Sequence, residues 1–130
     1  MKTDPGNPGD WLVLARDRLE KADALHDRFG PSWSGIELLH EAAERYLKAL
    51  LVAKGWKLVK THDLNLLLAE AAEFNEECAR FQEIAGNLTE QFWEQHYPGG
   101  DLDQVGQDYD EVRSQLGELV ALIEKSVKGG

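Results

Sequence analysis

SGIELLHEAAERYLKALLVAK, residues 34–54, is the stretch on which the fold turns. Ser34-Gly-Ile-Glu37 has the form of a capping box, in which serine and glutamate satisfy each other's orphan backbone amides, so a helix is expected to start there. It runs to about Lys54, and Gly55 ends it. Stepping about 100° per residue, Glu37, Glu41, Glu44 and Lys48 fall in one narrow wedge, while leucine, alanine and tyrosine fill the rest. A helix this apolar is expected at the centre of its fold, covered on more than one side.

The flanking segments carry the same three- and four-residue rhythm, and none alternates in the two-residue rhythm of a strand. Upstream, Leu12, Ala15, Leu19 and Ala22 form one stripe of a helix over Trp11–Phe29, with Asp10 as its expected N-cap and Gly30-Pro31 as its stop. Downstream of the basic connector WKLVK, Asp63 is placed to cap a short helix that buries Leu64, Leu67, Leu68 and Ala71 and ends near Phe74. Cys78, Phe81, Ala85, Leu88 and Phe92 mark a fourth long helix over about Glu76–Gln95, which Pro98-Gly99-Gly100 ends. Val105, Tyr109, Val112, Leu116, Leu119, Ile123 and Val127 mark the last, from Leu102 or Asp103 to Val127. Short connections favour antiparallel neighbours, so the expected fold is all-α: an up-and-down antiparallel bundle of four main helices and one short one. Residues 1–9, with two prolines and two glycines, read as a flexible N-terminal tail, and residues 10–128 as a single domain.

The chain carries 24 acidic and 14 basic residues, a net charge of −10, which repels phosphate backbones and weighs against broad nucleic-acid binding. Arg45, Lys48, Lys54, Lys57 and Lys60 nevertheless lie close together in sequence. The first ten residues, MKTDPGNPGD, lack the apolar run of a secretory signal, and the single cysteine, Cys78, forms no internal disulfide; both point to a reducing cytoplasm.

Few motifs carry chemistry. No glycine-rich phosphate loop is present. His40 and Glu44, one turn apart, resemble half of a His-Glu-x-x-His metal site without its second histidine, so His40 is read as a partly buried histidine bonded to a neighbour or at a subunit interface, and no metal is expected. Asp101 and Asp103 sit where a helix start favours aspartate as a cap. Cys78 follows its apolar stripe and reads as a buried thiol.

The segment His40-Glu-Ala-Ala-Glu-Arg-Tyr-Leu-Lys-Ala-Leu-Leu-Val-Ala-Lys-Gly55, then Lys60-Thr-His-Asp-Leu64 and later His96-Tyr-Pro98, resembles the HEPN domain family over nearly the whole chain. The resemblance implies a helical bundle, often a homodimer, encoded in many cases beside a minimal nucleotidyltransferase as its partner, sometimes as a toxin and antitoxin pair. It also implies a nucleotide as candidate ligand. Ribonuclease members carry Arg-x4-His, in which arginine can stabilise developing phosphorane charge while histidine moves a proton. Here the residue five places before His96 is Gln91 and the residue five places after it is Asp101, and no arginine has a histidine five places on.

The expected function is therefore that of a non-catalytic, dimeric HEPN-like binding subunit. The alternatives are a toxin-like ribonuclease with a divergent site, using His96 or His62 with an arginine from elsewhere, and a purely structural interaction module. For His62 and Asp63 the packing reading is a cross-bundle hydrogen bond and a helix cap; the binding reading makes His62, with Lys48 and Lys60, the lining of a small anion pocket. His96 is read as a helix-end residue that the helix dipole favours, with Pro98 as the stop; in the binding reading His96 and Tyr97, where the family often has arginine, form a second candidate contact, to a nucleotide phosphate. The apolar second helix is the candidate dimer surface.

Overall fold

The computed structural model describes residues 2–57, 60–94 and 102–128, the backbone alone for 91–94 and 102–108. It is an up-and-down bundle of α1 (Pro8–Phe29), α2 (Trp33–Ala53), α3 (Leu64–Phe74), a 3₁₀ turn (Glu76–Phe81), α4 (Gln82–Glu94) and α5 (Leu102–Lys128). No strand occurs among the described residues, and no helix among them is long and apolar enough to cross a membrane.

α2 is the axis of the fold, packing against α1, α3, α4 and α5. Thirteen of its 21 residues are buried, including Ile36, Leu39, Leu47, Leu50 and Leu51. The apolar surface that suggested a dimer interface is thus consumed inside the chain, because four helices surround α2. Tyr109 on α5 donates its hydroxyl to the Ala22 carbonyl on α1 at 3.2 Å, and Arg113 forks onto both oxygens of Asp23 at 2.7 and 3.0 Å, fixing α5 against α1.

Two helix starts differ from expectation. α1 begins at Pro8, not Trp11, and its cap is Asn7, whose side chain accepts the Gly9 amide; the Asp10 carboxylate accepts the Asp4 amide instead. Proline at the first helical position needs no amide partner and is preset for the helix, which moves the start upstream. The cap of α2 is Ser32, not Ser34: the Gly35 amide donates to Ser32 Oγ at 3.0 Å. That frame sets Gly35 under the Tyr109 ring, where a Cβ would lie 3.0 Å from Tyr109 Cε2.

The expected fourth helix opens as a 3₁₀ turn. Its three-residue period puts Cys78 and Phe81 on one face, both buried, while Asn75 caps the Glu77 amide and donates to Ser126 Oγ on α5 at 3.1 Å. α3 starts as the sequence implies, with Asp63 Oδ1 accepting the Asn65 and Leu66 amides at 3.0 and 3.2 Å. Asp63→Ala should cost about 1 kcal/mol in urea unfolding, and Asp63→Asn, which keeps the cap, much less; equal losses would contradict the cap.

Candidate functional site

The polar wedge of α2 faces a cleft of about 620 Å³ closed by the segment before α3 and by α4. Glu37, His40, Glu41, Glu44 and Arg45 line it from α2, His62 and Asp63 from the preceding segment, Asn65 from α3 and Thr89 from α4. The helical spacing of the wedge accounts for the α2 contribution, since residues three and four apart share a face.

Glu44 is the hub. Its side chain is only 8% exposed, and its two oxygens are divided between partners: Oε1 lies 2.6 Å from His62 Nδ1, and Oε2 lies 3.6 Å from Lys48 Nζ. Lys48, 7% exposed, also sits 5.4 Å from the centre of the Trp11 ring, so its charge is held between a carboxylate and an aromatic face. A buried carboxylate persists only when paired and hydrogen-bonded, and these contacts supply that. His62 is 89% exposed and reaches in from the rim. Glu41 Oε2 is 3.0 Å from Arg18 Nε on α1 and 3.7 Å from Arg45 Nη1, which fixes Arg45 at the wall.

His40 is buried beside this network, and burial holds its imidazole below the ordinary pKa of 6.5; the Glu44 and Glu41 carboxylates oppose the shift and His62 adds to it. The unfolded chain takes up the proton near pH 6.5 while the folded chain resists it, so His40's contribution to stability is present above that pH and is lost as the pH falls from there toward the folded-state value. Between about pH 7 and pH 5, the unfolding free energy of the native chain should therefore fall more steeply than that of His40→Asn; parallel curves would contradict the assignment.

Of the residues singled out from sequence, His62 and Asp63 line the cleft. The cross-bundle bond of His62 and the cap of Asp63 are both present. Lys48 braces Glu44 from behind rather than lining the cleft, and Lys60 is exposed and outside the lining, so of Lys48, Lys60 and His62 only His62 faces the cleft. His96 and Tyr97 lie outside the described residues. Sequence reasoning missed Glu37, Glu41, Arg45, Asn65 and Thr89; the signal was the polar wedge on an otherwise apolar helix. Among the described residues, no group of three or more histidine, cysteine or acidic side chains is arranged to hold a metal ion. Cys78 is buried, and burial, with Glu77 nearby, pushes its thiol pKa up, away from thiolate chemistry.

No curated protein and no solved structure matches the chain. The family model for the HEPN domain matches residues 9–128, nearly its whole length. The chain belongs to the HEPN domain family.

Proposed function

We propose that the chain is a non-catalytic HEPN-type binding subunit that engages a protein partner at the α2–α3–α4 cleft, with a minimal nucleotidyltransferase as the family-implied partner. The observation that carries this reading is how the cleft's groups are committed. Four carboxylates, Glu37, Glu41, Glu44 and Asp63, face one arginine, and Glu44 already holds His62 and Lys48. Such a lining opposes the attack of a base on a phosphodiester, where cationic groups are needed for the developing charge. It is also poorly suited to a free triphosphate, so a nucleotide is expected to bind weakly by itself. Size-exclusion chromatography with light scattering tests the proposal: the chain mixed with the nucleotidyltransferase should elute as a complex, and separate elution counts against it. A homodimer would have to bury a face other than the apolar side of α2.

A ribonuclease is the second reading, favoured by one observation: His40 and Arg45, five residues apart in the reverse of the family order, line the same cleft as His62. Cleavage of a labelled RNA by the native chain, lost in His62→Ala, would establish it. RNA left intact by the native chain supports the binding role.

A further inference from the structure

The hydrogen-bonding polarity of the cleft selects its guest. The Thr89 hydroxyl donates its proton to the Ala85 carbonyl at 2.8 Å, so Oγ1 faces other partners as an acceptor. The Glu44 carboxylate only accepts, so the His62 proton that joins them is assigned to Nδ1. Asp63 uses Oδ1 for both cap bonds, leaving Oδ2 outside the cap. Glu41 is compensated by Arg18 and Arg45, and Glu44 by Lys48, with His62 hydrogen-bonded to it, whereas Glu37 and Asp63 make no ion pair with a cation among the described residues. The cleft, about 620 Å³ in volume, thus has acceptors in excess: its one arginine, Arg45, is held by Glu41, and two of its carboxylates, Glu37 and Asp63, are unpaired among the described residues.

From this we infer that the cleft receives an arginine side chain presented by the protein partner, with Glu37, Asp63 and Thr89 accepting from its guanidinium. A guanidinium has five N–H donors and no acceptor, which complements the unpaired acceptors Glu37, Asp63 and Thr89. Its planar fork engages carboxylates two bonds at a time, whereas an ammonium acts as a compact point charge, so arginine is preferred to lysine. A phosphate-bearing ligand meets the wrong charge and a lining with few donors. The inference rests on the binding-subunit reading and adds the chemistry of the contact.

The test titrates the full chain with the blocked peptide Gly-Arg-Arg-Gly and, in parallel, with Gly-Lys-Lys-Gly. Saturable binding of the arginine peptide is expected, weakened about tenfold in Glu37→Gln and likewise in Thr89→Val, with the lysine peptide weaker throughout. Glu83→Gln removes the same charge from an exposed position outside the lining and should leave binding unchanged. Equal losses in Glu37→Gln and Glu83→Gln would reduce the effect to net charge and overturn the inference; so would equal affinity for the two peptides, or no binding. A partner complex that forms equally well with Glu37→Gln overturns the arginine contact and leaves the binding role standing. Peptide binding that depends on Glu37, without any complex with the nucleotidyltransferase, sustains the contact and removes that partner.

Discussion

Glu44→Ala is expected to destabilise the bundle by about 3–5 kcal/mol, the loss typical of breaking a buried ion pair. Its carboxylate is almost wholly shielded and is the carboxylate paired with Lys48, which is itself buried. Removing it strands the Lys48 ammonium against the Trp11 ring alone, and a desolvated charge without a counterion costs far more than a surface pair is worth. The loss should therefore fall largely on the stranded lysine. The double variant Glu44→Leu with Lys48→Leu, which removes both charges and keeps apolar volume, should recover most of it. Urea unfolding of the native chain, the single variant and the double variant measures the cycle. A single-variant loss below about 1 kcal/mol would mean that the pair behaves as a solvated surface bridge.

Leu50→Ala carries the second large effect. Leu50 is fully buried in the core on the helix that touches every other helix of the bundle, so the space left by its side chain cannot be closed by the shift of one neighbour. Large-to-small changes of this kind cost about 2–5 kcal/mol, the transfer term being joined by the cavity. Leu66, 43% exposed on the outer side of α3, provides the contrast: Leu66→Ala should stay within about 0.5 kcal/mol. Equal losses at the two positions would contradict the central placement of α2.

The helices were legible because their signals are local. Asp63 caps α3, Gly30 and Gly55 follow the ends of α1 and α2, and Tyr109, Val112, Leu116, Leu119 and Ile123 are buried on α5 at the spacing read from sequence. Ser32 and Ser34 could not be ranked by local chemistry, since either hydroxyl can cap; the choice goes with the seating of Gly35 beneath Tyr109, a residue more than seventy positions away. The 3₁₀ opening before α4 is likewise tied to α5 through Asn75 and Ser126. Of the site, His62 and Asp63 were visible in one short motif, whereas Thr89 and Arg45 join it only through the packing of α4 and α2. Lys48 was grouped with His62 and Lys60 as the lining of an anion pocket because a sequence shows charge but not burial, and in the fold it is buried beside Glu44.

Whether the cleft is the contact surface is measured most directly by isothermal titration of the purified chain with the proposed partner, a minimal nucleotidyltransferase. His62→Ala is the variant of choice, because the side chain is exposed at the rim and Glu44 keeps its pairing with Lys48. Saturable binding by the native chain and about tenfold weaker binding by His62→Ala are expected, with unchanged circular dichroism. Equal affinity for the two proteins would place the contact elsewhere on the bundle and contradict binding at the α2–α3–α4 cleft.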